Sequence, residues 1–197
     1  MNFLTDLGKL GGEGDSVGDI GEAILACNPV LESFGNAKTV RNDNSSRFGK
    51  YTLMYFALDK DKIYGARIKN YLLEKSRVIK VAANERGYHA FYFLLRGASD
   101  DLLKQLYLTD SAGKRMTWEK FFYLKSGGDL SVEHDVGEWK VLEQTLVTLK
   151  FSAEQILAIW RCTAAVLLLG QIEFDEKSFA KVEENVVGKI KNIEVVD

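Results

Sequence analysis

The sequence predicts a partial α/β unit that is mainly helical with a few strands, and two kinds of segment carry this prediction. Runs of aromatic and β-branched residues at 51–58 and 63–71 flank a short charged turn, DKDK, a pattern typical of a β-hairpin. Several other segments place apolar residues at helical spacing. The chain has 197 residues, 46% of them hydrophobic and 27% charged, which is enough apolar material for a core.

The N-terminal region predicts a flexible loop followed by two helices. Residues 8–18, GKLGGEGDSVG, contain five glycines and therefore predict a flexible surface loop. A capping-box pattern at Asp19 predicts the start of the first helix. Pro29 is expected to interrupt that helix, because proline has no backbone N–H. Asn28 would then cap a second, short helix that ends at Gly35.

The middle of the chain predicts a third strand and further helices. Residues 76–81 have the composition of a strand that follows the hairpin. Asn84 is expected to cap a helix with apolar residues at helical spacing, and a shorter helix should cover residues 100–106. Residues 110–136 read as mixed loop and short helix, with helix at 117–124.

The clearest helix prediction covers residues 153–169. Ser152 and Gln155 form a capping box, and Gly170 supplies a C-terminal stop. Apolar residues lie nearly all round this helix, so we expect it to be buried within a larger body. Residues 175–197 are charged and weakly periodic, which predicts a surface loop and tail.

Composition excludes several classes of function. The formal charge is −2, which gives no support for binding a nucleic-acid backbone. The longest apolar stretch, residues 156–169, contains Arg161 and is too short to span a bilayer. Cys27 and Cys162 are isolated, as is usual in a reducing compartment, and the N-terminus has no signal-peptide pattern. We therefore expect a cytoplasmic protein with no nucleic-acid partner and no membrane span.

In the stretch RNDNSSRFGKY, Arg41 is followed by six further polar residues, 42–47, ahead of the first predicted strand. Serine hydroxyls can ligate Mg²⁺ or hydrogen-bond a phosphate, and asparagine amides can donate to phosphates. Nucleotide hydrolases use loops of this kind to sense a terminal phosphate. An ordinary turn is the alternative, because Asn, Asp and Ser dominate turns for local reasons. Composition leaves both interpretations open.

The exact string favours the first interpretation. NDNSSRFGK, residues 42–50, closely resembles the first nucleotide switch of the myosin motor domain, N-x-N-S-S-R-F-G-K. Kinesins share the serine–serine–arginine core but continue differently. The flanking segments NPVLESFGNAKTV, IKNYLLEKSRV, NERGYHAFYFLL and FSAEQILAIWRCTAAVLLLGQIEF resemble myosin segments in the same order, so the resemblance covers essentially all 197 residues.

The resemblance implies a fragment of a P-loop NTPase motor domain, namely its upper actin-side subdomain with a few strands of the central sheet. The complete motor would bind ATP and Mg²⁺, act on actin filaments and associate with the cytoskeleton. The partners of this chain would be actin and the remainder of the motor domain.

The resemblance also implies a role for each matching residue. Asn42 would contact the nucleotide phosphates, and Asn44 would either contact the nucleotide or support the loop backbone. Ser45 would bond the terminal phosphate and help relay a proton from the attacking water. Ser46 would complete the Mg²⁺ shell. Arg47 would pair with a glutamate of a second switch, which closes behind that water.

Two motifs of the family's catalytic machinery do not occur in the 197 residues. No Gly-Lys pair is followed by Ser or Thr, so the phosphate-binding G-x-x-x-x-G-K-[ST] is missing. The second switch, D-I-x-G-F-E, is also missing, and Asp19-Ile20-Gly21 is the nearest string. We expect the chain to begin after the phosphate loop and to end before the second switch.

Three functional hypotheses follow. The first is a part of an actin-based ATPase motor that is inactive alone, with Arg47 lacking a glutamate partner. The second is a non-enzymatic truncated protein that binds actin weakly or interferes with the intact motor. The third, another switch-containing ATPase, is disfavoured by the matching order of the flanking segments.

Overall fold

The computed structural model describes residues 15–56 and 63–174 of the chain. These residues form a helical core with two small antiparallel sheets packed beside it. The helices are α1 (Asp15–Gly35), α2 (His89–Gly97), α3 (Asp100–Gln105), α4 (Val132–Thr148) and α5 (Ala153–Leu169). The strands are β1 (Asn36–Ala37), β2 (Ser45–Ser46), β3 (Gly49–Phe56) and β4 (Ile63–Tyr71), and 3₁₀ turns cover Lys75–Val78 and Trp118–Lys120.

The predicted hairpin is confirmed. Strands β3 and β4 pair antiparallel from Gly49 opposite Tyr71 to Tyr55 opposite Gly65, and the turn between them lies outside the described residues. Cross-strand partners share a face of the sheet, so Tyr51, Tyr55 and Tyr71 lie on one face. The exposed fractions are 60% for Tyr51 and 53% for Tyr71. This surface, called the tyrosine face below, is open to solvent.

The prediction of two helices around Pro29 was wrong. Helix α1 runs without a break from Asp15 to Gly35, with Pro29 inside it. A proline in a helix costs a backbone hydrogen bond and about 3 kcal/mol. Here the turns that follow it are held by packing: Val30 and Phe34 contact the hydrophobic core, and the ring of Phe34 stacks on Trp160.

The predicted loop at residues 8–18 is partly corrected. Residues 15–18 belong to α1, where a glycine such as Gly18 costs only about 0.5–1 kcal/mol of helix stability. The rest of that loop, and the predicted charged loop and tail at 175–197, lie outside the described residues.

The third strand predicted at 76–81 was also wrong, because the chain there turns as a 3₁₀ helix. Arg77 is buried, and its Nε lies 2.8 Å from Oε2 of Glu74, three residues earlier. Residues three apart share a side of a helical turn but lie on opposite faces of a strand. This ion pair therefore favours the turn.

Helix α2 begins later than predicted. Its N-cap is Tyr88, whereas Asn84 lies in a turn with a φ of 63°, a left-handed conformation that asparagine tolerates. The N–H of Arg86 donates to the Lys38 carbonyl at 3.0 Å, and Tyr88 forms a bridge with Ala37. These contacts to the β1 segment keep residues before Tyr88 out of the helix.

The predicted helices at 100–106 and 153–169 are confirmed within one residue, and the capping box of Ser152 and Gln155 is present. The expectation that 153–169 is buried within a larger body stays a prediction. Within the described residues it buries one face, around Trp160 and Leu167, while Leu169 is 60% exposed.

Sequence analysis missed helix α4. Its buried apolar residues are Trp139, Leu142 and Leu146, at spacings of three and four residues, and Asp135 and Thr145 are buried as well. Trp139 packs on Trp160 of α5 with 4.6 Å between ring centroids. A Cβ on Gly97 would lie 2.2 Å from Trp139, so that glycine permits the close approach of α2 and α4. None of the helices in residues 15–56 and 63–174 is long and apolar enough to cross a membrane.

Candidate functional site

The polar loop of residues 38–44 leaves the end of helix α1 and returns beside it. Strands β1 and β2, which flank the loop, pair antiparallel with Ala37 opposite Ser45. Just after β2, the N–H of Arg47 donates to the carbonyl of Gly35 at 2.8 Å. The two serines of the motif are therefore fixed next to the last turn of α1.

Phe48, the phenylalanine of the motif, packs against the end of helix α1. Its ring packs directly over Gly35, and a Cβ on that glycine would lie 2.2 Å from the ring. Only a residue without a side chain allows this contact at the end of α1. The contact fixes the position of the loop relative to the helical core.

The two asparagines have different environments. Asn42 is exposed, and its Oδ1 accepts from the N–H of Asn44 at 2.8 Å. Any contact of Asn42 with an anion would therefore come from its Nδ2. The amide of Asn44 is hydrogen-bonded at both ends: Nδ2 donates to Glu32 and Oδ1 accepts from Asn36, each at 3.0 Å. Asn44 thus ties the loop to α1, which favours support over direct ligand contact.

The two serines present their hydroxyls differently. Ser46 is exposed and donates to the Phe48 carbonyl at 2.9 Å, so its oxygen lone pairs remain suitable for a cation. Ser45 is half-buried, and its Oγ accepts from Nη2 of Arg47 at 3.2 Å. Its own proton is therefore directed away from that guanidinium and is suitable for donation to an oxyanion.

Arg47 has a glutamate partner in this chain, contrary to expectation. Its Nη1 lies 3.2 Å from Oε2 of Glu74, and its Nε donates to the Ser46 carbonyl at 3.1 Å. The N–H of Glu74 also donates to the Arg47 carbonyl at 2.9 Å. Glu74 lies in the segment that follows β4. Because β3 and β4 form a hairpin, this segment lies next to the polar loop again. Sequence reasoning looked for this partner only in a missing motif.

Glu74 is in turn held by the buried Arg77. Arg77 Nε donates to Oε2 of Glu74 at 2.8 Å and Nη2 donates to Oε1 at 3.2 Å, while its Nη1 reaches Glu85 at 3.0 Å. Burial alone would raise the pKa of Glu74, but hydrogen bonds and charge from Arg77, and then from Arg47, lower it below its ordinary value. Glu74 therefore remains ionised at neutral pH.

Asn44 also lines a cavity of about 210 Å³. Its walls include Glu32, His89, Phe93 and Glu138, while Ser45 and Ser46 lie outside its lining. The hydroxyls of the motif are thus presented at the loop surface rather than in this cavity. In the described part of the chain, no group of three or more His, Cys, Asp or Glu side chains is placed to bind a metal ion.

Sequence reasoning missed Glu74, Arg77 and Glu85 as parts of the site. The acid–base pair at Glu74 and Arg77, spaced three residues apart, was an available local signal. Its connection to the loop was not available, because Arg47 and Glu74 are 27 residues apart in the chain.

Comparison with known proteins identifies the family of this arrangement. The family model described as myosin head (motor domain) matches residues 1–195. "Myosin-2B" of Naumovozyma castellii is 46% identical over 168 residues, which is 82% of this chain and 11% of that protein.

Two further relatives are similar over more of the chain. "Myosin IE heavy chain" of Dictyostelium discoideum is 45% identical over 178 residues, 89% of this chain and 17% of that protein. "Unconventional myosin-Ic-A" of Xenopus laevis is 41% identical over 188 residues, 93% of this chain and 18% of that protein. The chain therefore spans less than a fifth of the length of these relatives.

Proposed function

Because this chain belongs to the myosin head (motor domain) family, we propose that residues 42–50 act as the first nucleotide switch of an actin-based, ATP-hydrolysing motor. The motor would have a P-loop NTPase fold and would associate with the actin cytoskeleton in the cytoplasm. Two neighbouring hydroxyls carry this proposal. The Ser46 hydroxyl is exposed, and the Ser45 hydroxyl accepts a hydrogen bond from Arg47.

The side chains present fit Mg²⁺ and a nucleotide phosphate. Mg²⁺ takes oxygen ligands, and the exposed Oγ of Ser46 is such a ligand. Bound Mg²⁺ would supply charge neutralisation at the phosphate oxygens. Asn42 is exposed in the same loop, and its Nδ2 would donate to a phosphate oxygen.

Ser45 and Arg47 would act on the terminal phosphate and on the water that attacks it. Ser45 would donate its hydroxyl proton to a phosphate oxygen while accepting from Nη2 of Arg47. Arg47 would fix that serine and carry positive charge next to the developing negative charge. Phosphoryl transfer depends mainly on positioning and charge stabilisation, and these groups supply both.

The chain on its own should bind MgATP weakly or not at all. The 197 residues contain neither the lysine and backbone cradle of a phosphate loop nor a second switch. Isothermal titration of the chain with MgATP should therefore give no micromolar binding. Micromolar binding would contradict this part of the proposal.

The switch function is tested in a complete myosin motor domain in which this chain replaces the matching segment. Ser46→Ala and Arg47→Ala should each lower the MgATPase rate by about 10²-fold or more, since removing one preorganised stabilising group has effects of this order. Ser126→Ala, at an exposed serine remote in sequence, is the control and should leave the rate unchanged. Unchanged rates in both switch variants would refute the proposal.

A non-enzymatic role of the 197 residues by themselves, which contain no phosphate loop, is the second candidate. In this role the chain would bind actin weakly or compete with an intact motor. Co-sedimentation of the chain with actin filaments, with and without the intact motor, measures it. Two results together would favour this candidate over the first: the chain binds actin, and the hybrid motor, in which the chain replaces the matching segment of a complete motor domain, has no MgATPase activity.

A further inference from the structure

We propose that Glu74 is a positioning residue of the switch, which holds Arg47 and, through Arg47, the hydroxyl of Ser45. This inference rests on the proposed function and adds a residue outside the motif. Glu74 lies 27 residues beyond Arg47, at the N-cap of the 3₁₀ turn that follows the hairpin.

The contact between Glu74 and Arg47 has two points. The side chains meet through Nη1 and Oε2 at 3.2 Å, and the backbones meet through the N–H of Glu74 and the carbonyl of Arg47 at 2.9 Å. A single surface ion pair leaves both side chains free to move. Here the backbone hydrogen bond fixes the origin of both side chains, so the ion pair defines one orientation of the guanidinium.

Glu74 is itself held rigidly by the core. Arg77 is 5% exposed and grips both carboxylate oxygens of Glu74. Arg77 is fixed by two further contacts, to Glu85 at 3.0 Å and to the Arg86 carbonyl at 3.1 Å. The hydroxyl of Tyr88, the N-cap residue of α2, donates to the Glu74 carbonyl at 2.8 Å.

The guanidinium of Arg47 links Glu74 to the Ser45 hydroxyl. Nη1 contacts Glu74, Nη2 contacts Ser45 and Nε contacts the Ser46 carbonyl, so these contacts use three of five N–H donors. A guanidinium is planar and its donors are fixed relative to one another. Fixing Nη1 on Glu74 therefore fixes Nη2 against the Ser45 hydroxyl.

Glu74→Gln tests this role because it keeps the shape of the side chain and removes its charge. In the 197-residue chain, nuclear magnetic resonance of the arginine Nη–H groups should show loss of the Arg47 Nη1–H signal through faster exchange with water, because Nη1 is the nitrogen that contacts Glu74. The Arg77 Nη1–H signal should persist, since Glu85 and the Arg86 carbonyl still accept from that nitrogen. An unchanged Arg47 signal would contradict the proposal.

Asp129→Asn is the matched control. Asp129 is a half-exposed carboxylate that pairs with Arg96 at 2.9 Å, and Glu74 likewise pairs with an arginine, Arg47, at 3.2 Å. Asp129 belongs to a different ion-pair cluster. This variant should leave the Arg47 signal unchanged. A loss of that signal in the control as well would show a general effect of charge removal and would overturn the positioning role.

MgATPase activity in the hybrid motor distinguishes the role of Glu74 from the switch function proposed for residues 42–50. Glu74→Gln should lower kcat about tenfold while KM for ATP changes less than twofold, because the lost order affects the reacting phosphate more than nucleotide affinity. Full activity of Glu74→Gln with loss of activity in Arg47→Ala would refute the role of Glu74 alone. Full activity of both would refute the proposed switch itself.

A second variant covers the case in which Glu74→Gln does not fold. Glu74→Asp keeps the charge but withdraws the carboxylate by one methylene from both arginines. It should also lower kcat, by a smaller factor, with KM little changed. Wild-type kcat in a folded Glu74→Asp motor would contradict the proposal.

Discussion

Gly35 is the residue on which the geometry of the loop depends most directly. The Phe48 ring occupies the space that its side chain would take, and the Gly35 carbonyl accepts from the N–H of Arg47. Motif residue and helix end are therefore matched to each other. The sequence string shows the phenylalanine, whereas its partner is visible only in the fold.

We predict that Gly35→Ala destabilises the chain by about 1–3 kcal/mol, because the added methyl group overlaps the Phe48 ring. Urea unfolding followed by circular dichroism measures the change. Gly137→Ala is the matched control, because a Cβ at Gly137 in helix α4 meets nothing within 4 Å. That control should stabilise the chain by about 0.5–1 kcal/mol, and equal effects of the two substitutions would contradict the prediction.

His89 makes stability depend on pH. Burial, and then the charge of Arg86, lower the pKa of His89 from 6.5 to about 4. Between these values the unfolded chain binds a proton that the folded chain does not bind, so stability falls as pH falls. We predict a loss of about 1–2 kcal/mol between pH 6.5 and pH 5, where carboxylates contribute little.

Urea unfolding at a series of pH values tests this prediction. His89→Phe preserves the stacking on Phe93, whose ring centroid lies 5.5 Å away, and removes the titrating group. The variant should show a flatter profile between pH 6.5 and pH 5. A profile as steep as that of the unchanged chain would show that other groups cause the dependence.

At the scale of elements, local signals were sufficient only where local interactions determine the structure. The capping box of Ser152 and Gln155 located the start of α5, because those residues bond each other. Pro29 was misleading because packing of α1 on the core outweighs the lost hydrogen bond. Residues 76–81 were misread as a strand because the ion pair of Arg77 outweighs strand propensity.

We predict that Ser152→Ala destabilises the chain by about 1 kcal/mol, because it leaves the N–H of Gln155 without its capping oxygen. Thermal unfolding by circular dichroism is the measurement. Ser126→Ala removes an exposed hydroxyl in a turn and should change stability by less than about 0.5 kcal/mol. A loss at Ser152 no larger than at Ser126 would contradict the predicted cap.

Considered as a whole molecule, the described chain combines a buried helical core with an open hairpin. The motif string could be recognised in the sequence because it is specific, and the roles of its residues stay a prediction. Glu74 could not be recognised, because only the hairpin brings it to Arg47. The same hairpin leaves its tyrosine face uncovered in the residues that the structure describes.

We predict that the isolated chain self-associates through the tyrosine face as its concentration rises, because exposed aromatic side chains on one face of a sheet form an apolar patch that favours association. Tyr51→Thr with Tyr71→Thr should lower the association measured by sedimentation velocity. Val147→Thr, at a 65% exposed position on α4, is the control and should leave association unchanged. A monomer at every concentration, before any substitution, would contradict the prediction.

The hydrogen bond between Arg47 and Gly35 closes the polar loop into a ring of main chain. While that bond lasts, strand β2 cannot shift without carrying the final turn of α1 along. Phe34 lies in that turn, and its ring stacks on Trp160 at the centre of the helical core. A displacement of the two serines would thus be transmitted to Trp160 through one backbone hydrogen bond, from Arg47 to Gly35, and one aromatic contact, from Phe34 to Trp160.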